Sequence, residues 1–140
     1  MKSQHLFSAK IGQEISIFIE NRPGTLSSVI DTLREAQVNM IALSMSEGQD
    51  AGYVRIIADR VPAAVKALEG ARHLLRVRDV VLIEVANQPG GMAAAIDRWA
   101  RAGINIAYAY SATGAGADHS LIVAKVPDAA RAIAALHLAP

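Results

Sequence analysis

Cysteine is absent from this chain of 140 residues. That excludes disulfides, thiolate metal sites and cysteine nucleophiles, and it leaves the redox compartment open. Charge imbalance is missing too. The formal net charge is +1, so no strong field draws the chain to nucleic acid or to an anionic membrane. No apolar run reaches the roughly eighteen residues that a membrane span needs, and no apolar segment follows the first lysine. Neither a membrane partner nor a secretory signal is therefore expected, and the cytoplasm is the default location. What the chain has in plenty is apolar content, 52% against 19% charged residues, which is a globular composition.

The apolar residues repeat. Asn21-Arg22-Pro23-Gly24 returns 66 residues later as Asn87-Gln88-Pro89-Gly90, each time after an alternating β-branched run and before a helical pattern. At that offset Ile15, Ile17 and Ile19 fall on Val81, Ile83 and Val85, and Val38-Asn39-Met40 falls on Ile104-Asn105-Ile106. A repeat of this size decides the architecture before any single residue does. It predicts two domains, 1–79 with its core at 14–79, and 80–140. Halves of about 65 to 70 residues are near the lower limit for an independent core, so they are expected to share stability.

Period-two alternation predicts a strand from Glu14 to Glu20, and Leu6 to Ile11 has the makings of another. Pro23 suits the first turn of a helix, because it lacks the N–H that would be unpaired there; Leu26, Val29, Ile30 and Leu33 continue at helical spacing. Strands follow at Asn39–Ser46 and Tyr53–Asp59, joined by the turn chemistry of Glu47 to Gly52, then a helix from Pro62 to Gly70 and a strand from His73 to Arg78. The second copy gives a strand at Val80–Ala86, a helix at Pro89–Ala102, strands at Asn105–Ala112 and Asp118–Lys125, and a helix from Pro127 to Leu136. The fold class is α+β, two tandem ferredoxin-like units with helices on one face of an antiparallel sheet. The second unit ends too soon for a fourth strand of its own. Either it has three, or the N-terminal segment supplies one.

Strand parity puts Phe18, Ile57, Leu82, Leu121 and Val123 on the open face, with Ser16, Tyr53 and Arg55. Such a face is too apolar for water, so a homodimer across it is expected.

The Pro-Gly turns are candidate anion sites, since a helix start directs N–H groups and positive dipole outward and Gly24, Gly90 and Gly91 permit close approach. An ordinary strand-to-helix turn is the plain alternative. Asn39 and Asn105 each open a strand, where a turn role and a ligand-facing amide remain equally open. No enzyme constellation emerges. The four histidines lack metal spacing, Asp118-His119 has no serine partner, and Gly114-Ala115-Gly116 joins two strands, so no metal and no cofactor are expected. Arg72, Arg76 and Arg78 read as a solvated strand. An RNA-binding face of this fold would use aromatics on the central strands. Phe18 and Tyr53 qualify, but their counterparts Glu84 and His119 do not, and basic charge is scarce.

Strand, Asn-x-Pro-Gly, helix, Val/Ile-Asn-Met/Ile and a hairpin ending in Tyr53-Val54-Arg55-Ile56-Ile57-Ala58-Asp59 together resemble the ACT domain, and the chain resembles small proteins made of two of them in tandem. Copy two departs from the pattern with Gln88 in place of Arg22 and in its Gly114–Asp118 hairpin. The resemblance implies a regulatory, non-enzymatic protein that binds an amino acid at interfaces between ACT units and signals to an enzyme or transcription factor. It implies ligand contacts from Asn21, Arg22, Pro23, Gly24, Thr25, Leu26, Asn39 and Met40, and from Asn87, Gln88, Pro89, Gly90, Gly91, Met92, Asn105 and Ile106. No attached catalytic domain is expected. A structural adaptor without ligand is the main alternative; an enzyme or an RNA-binding module is the lesser one.

Overall fold

The computed structural model describes residues 7–46 and 51–137. Glu47 to Asp50, most of the expected turn, lie outside the described residues. The elements are β1 (Phe7–Glu20), α1 (Thr25–Glu35), β2 (Met40–Ser46), β3 (Ala51–Ala58), α2 (Val61–Gly70), β4 (Leu74–Ala86), α3 (Gly91–Arg101), β5 (Tyr108–Ala112), β6 (His119–Lys125) and α4 (Ala129–Leu136).

They form two compact units. The first is Gln13–Arg78, and the second combines Met1–Gly12 with Asp79–Pro140. Along the described chain the division falls after Gly12 and before Asp79, and residues 7–12 go with the later half. The reason is continuity of extended chain. Neither Gly12 in β1 nor any residue of β4 has a positive φ, and no proline interrupts either strand. Two pairs of expected strands therefore fuse into β1 and β4, whose ends serve different units. In the first unit the hydrogen-bonded order is β2-β3-β1-β4, and in the second it is β1-β4-β6-β5. The N-terminal segment supplies the missing fourth strand.

Each unit packs two helices on one sheet face. In the first, Val29 and Leu33 of α1 and Ala64 and Leu68 of α2 meet Ile15, Ile17, Ile19, Val54 and Ile56. In the second, Ala95 and Trp99 of α3 and Ala132, Ala135 and Leu136 of α4 meet Val81, Ile83, Val85, Ile122 and Ala124, with Phe7 and Ala9 packed alongside. Burying a side chain of this kind contributes about 1.5 to 3 kcal/mol. Trp99 also donates its indole N–H to the Ala132 carbonyl at 2.8 Å, which satisfies the polar atom that so large a core residue brings with it.

The open face needs a correction. Ser16 pairs with Arg55 and Phe18 with Tyr53 across β1 and β3, and Leu82 pairs with Val123 across β4 and β6, so parity holds. Exposure does not. Ile57, Val123 and Ser16 are buried, Leu82, Leu121 and Arg55 are half-buried, and of the five apolar residues only Phe18 is well exposed, at 44%. Sheet twist lets neighbours on one face shield one another, which reasoning from a flat sheet does not anticipate.

Candidate ligand site at the first Pro-Gly turn

The β1–α1 turn begins where Arg22 N–H donates to the Glu20 carbonyl at 3.0 Å. Gly24 follows with φ 91°, the left-handed conformation that glycine adopts without penalty, and is the N-cap of α1. It offers no side chain to the first-turn N–H groups. An ideal Cβ on Gly24 would meet nothing within 4 Å, so the helix start faces open space. Thr25 holds the turn from within: its hydroxyl lies 2.9 Å from the Glu20 carbonyl and 3.1 Å from that of Arg22.

A cleft of about 570 Å³ opens over this turn, within the range of small-molecule sites. Its near wall includes Glu20, Arg22, Pro23, Gly24 and Thr25, and its far wall is the α2–β4 junction of Ala71, Arg72, His73 and Leu74. Arg22 Nε is 2.8 Å from Glu20 Oε2, with both side chains about two-thirds exposed, an ion pair that water and competing carboxylates exchange readily. Arg72 adds a second cation, from a backbone at φ 66° that is unfavourable for any residue with a Cβ. Among the described residues, His73 Nε2 is enclosed and has no hydrogen-bond partner. Such an atom takes its polar partner from the cleft, water included. The far wall was missed in the sequence, because nothing near the turn motif points to residues fifty positions away; the only signal was Arg72 itself, read there as solvated.

Asn39 and Met40 stand elsewhere. Glu20 is opposite Ala51 while Met40 is opposite Ala58, so the turn and the start of β2 lie at the two ends of β3, about 23 Å apart at 3.3 Å per residue. They line a separate hollow of about 330 Å³ with Arg34 and Gln37. Asn39 is exposed, and its backbone is clamped by Asp59: Asn39 N–H donates to Asp59 Oδ1 and Asp59 N–H donates to the Asn39 carbonyl, both at 3.0 Å. Leu26 packs into the core of its unit.

The second turn repeats the backbone and changes its surroundings. Gly90 caps α3 at φ 84°, again without a capping side chain. Asn87, however, is engaged by the hairpin: its N–H donates to the Asp118 carbonyl at 2.9 Å and its side-chain amide to the Ala117 carbonyl at 2.9 Å. Gly91 is buried, and a Cβ there would lie 2.1 Å from the Ala86 carbonyl oxygen. Gln88, Pro89 and Met92 are exposed. Asn105 and Ile106 precede β5, which starts at Tyr108 and not at Asn105, and Ile106 packs on the core. Among the described residues, no group of three or more histidine, aspartate or glutamate side chains is placed to hold a metal ion, and no helix is long and apolar enough to cross a membrane.

Two ferredoxin-like units, each with a glycine-started helix behind its first strand, define the class. Residues 10–137 match the family model of the ACT domain pair, and the chain belongs to that family, one of regulatory ligand-binding modules. It is similar to protein BT0572 from Bacteroides thetaiotaomicron at 30% identity, over 91% of this chain and 88% of that one, with a TM-score of 0.84. It shares its fold with the regulatory subunit of aspartate kinase from Thermus thermophilus, in ligand-free form, at 20% identity, 94% coverage of each chain and a TM-score of 0.68. The regulatory subunit of aspartate kinase from Thermus flavus is similar at 19% identity, 97% coverage of each and a TM-score of 0.63. No curated protein matches the sequence.

Proposed function

We propose that this protein is a non-enzymatic sensor that binds an amino acid at the first Pro-Gly turn and passes the signal to a partner enzyme or transcription factor. The observation that carries the reading is the uncapped α1 start with Arg22 and Arg72 across one cleft. A ligand carboxylate would sit on the N–H groups of the helix start and displace Glu20 from Arg22, while Glu20 would then be available to the ligand ammonium group. The two aspartate kinase regulatory subunits support an enzyme as the partner. The second turn serves as structure in this reading, since its asparagine is already occupied by the hairpin.

Asn39 cannot reach the same small ligand from within one unit, at about 23 Å from the turn. An ACT-type site would therefore borrow Asn39 and Met40 from another unit, and a homodimer is the simplest way to supply one. The surface that favours it is the β2 edge: β2 ends the strand order of its unit, and Ile41, Leu43 and Met45 are 47%, 38% and 48% exposed. An apolar edge strand of this length pairs readily with another chain.

Calorimetric titration with the twenty amino acids tests the reading. Binding tighter than about millimolar, or roughly −4 kcal/mol, that is lost at least tenfold in Arg22→Ala supports it. No binding by any amino acid would transfer the protein to the adaptor reading, and turnover of a substrate would make it an enzyme. Sedimentation tests the dimer: Leu43→Lys should yield monomers at micromolar concentration, and a monomeric wild type would remove the β2 interface.

A further inference from the structure

The open face of the first unit carries a second concavity, of about 360 Å³, that the amino-acid reading does not use. It gathers Ser16 and Phe18 from β1, Tyr53 and Arg55 from β3, and Arg76 and Arg78 from β4. Three guanidinium groups in one small hollow repel each other unless an anion joins them. One does: Glu14, fully buried, lies 4.0 Å from Arg55 Nε. Arg55 also stands over the Tyr53 ring at 5.7 Å. Among the described residues, no carboxylate lies within ion-pair distance of Arg76 or Arg78. Beside them Phe18 and Tyr53 present aromatic surface, 44% and 45% exposed, with ring centres 5.4 Å apart and planes at 83°.

We propose that this hollow binds a planar ring carrying a phosphate, as in a nucleotide. Arg76 and Arg78 would hold the phosphate by paired N–H donors, which suit its oxygens, and the Ser16 hydroxyl adds a donor at the hollow's floor. The ring would rest on Phe18 and Tyr53, which favour a flat π-system without regard to its substituents. Self-association through this face is disfavoured by the same charges. A symmetric pair would set Arg55, Arg76 and Arg78 of one copy against those of the other, with one carboxylate each to offset them. The source of the phosphate can be a free nucleotide or one residue of a single strand, and the volume suits one nucleotide.

The test is calorimetry of the full chain with AMP, inorganic phosphate and a ten-residue oligouridine. AMP should bind at least about tenfold tighter than inorganic phosphate. Arg76→Gln with Arg78→Gln should weaken AMP by about tenfold or more, and Tyr53→Ser should weaken AMP while leaving phosphate unchanged. Tyr53, Arg76 and Arg78 lie outside the first-turn cleft, so any amino-acid binding should persist in both variants, and unchanged melting temperatures certify their fold. Oligouridine binding that exceeds AMP and falls steeply with salt assigns the site to a strand; AMP binding without it assigns a free nucleotide. Equal affinity for AMP and phosphate, no binding of AMP or oligouridine, or AMP affinity unaffected by the arginine variants would each overturn the proposal.

Discussion

At the first turn the hydroxyl of Thr25 reaches the Glu20 carbonyl at 2.9 Å; at the equivalent place in the second turn Gly91 has no side chain, and the Ala86 carbonyl has moved in to where a Cβ would be. The two backbones share their left-handed cap glycines, Gly24 at φ 91° and Gly90 at φ 84°. A threonine props the first turn from within, its hydroxyl reaching the Glu20 and Arg22 carbonyls. A glycine lets the second turn close against its own strand, and Asn87 then fastens it to the Ala117 and Asp118 carbonyls. The Gly114–Asp118 hairpin, which departs from the repeat, is the part that fastens it. The two copies thus share a backbone scaffold and differ in how much of the turn is tied down by hydrogen bonds of its own.

Exchange of the residue that distinguishes the two turns should have the largest effect. Gly91→Thr installs the first turn's side chain in the second. Its Cβ would fall 2.1 Å from a backbone oxygen, and backbone cannot swing aside as a side-chain tip can. The variant should lose about 3 kcal/mol in urea unfolding, the upper part of the overpacking range. A loss under about 1 kcal/mol would mean that the second turn opens as readily as the first.

Smaller effects separate prop from latch. Asn87→Ala removes the amide that donates to Ala117 and should cost about 1 kcal/mol without altering any ligand affinity. Thr25→Ala removes the hydroxyl bond to Glu20 and should cost a similar amount. It should also weaken amino-acid binding several-fold, because Glu20 and the helix start lose their mutual register. If both variants change binding alike, measured by calorimetry beside the melts, the two turns are not functionally distinct.

Much of this was legible from residues. Ile15, Ile17 and Ile19 alternate because that face of β1 packs on the two helices, and the 66-residue offset then transfers each assignment to the second copy. Strand ends were not legible, since they depend on partners. Asn105 and Ile106 pattern like a strand, yet β5 begins at Tyr108 because its partner β6 ends at Lys125, shortly before Pro127. The hollow beside the first turn was half legible. Arg22 and Gly24 belong to the motif, whereas Arg72 and His73 arrive from α2–β4 and become neighbours only when the sheet forms. The arginines of β4 read as solvated because the sequence does not show that they share a hollow with Arg55, Phe18 and Tyr53.

The smallest expected effect distinguishes strain kept for a site from strain kept for nothing. Gln37, at the end of α1, has φ 57°, and its repeat equivalent Gly103 has φ 71°, so a glycine serves that position in the second copy. Arg72 holds φ 66° at the end of α2 and lines the cleft. A left-handed conformation costs a residue with a Cβ about 1 to 2 kcal/mol, and glycine's greater freedom in the unfolded chain returns about 0.5 to 1 of that. Gln37→Gly and Arg72→Gly should therefore each stabilise by roughly 0.5 kcal/mol in urea unfolding. Their binding should diverge: Gln37→Gly leaves first-turn affinity unchanged, while Arg72→Gly removes a cation from the cleft and weakens it about tenfold. Opposite signs for stability and binding at Arg72 alone would mark its strain as functional. Unchanged affinity in Arg72→Gly would reduce the far wall to packing and leave Arg22 as the anion contact.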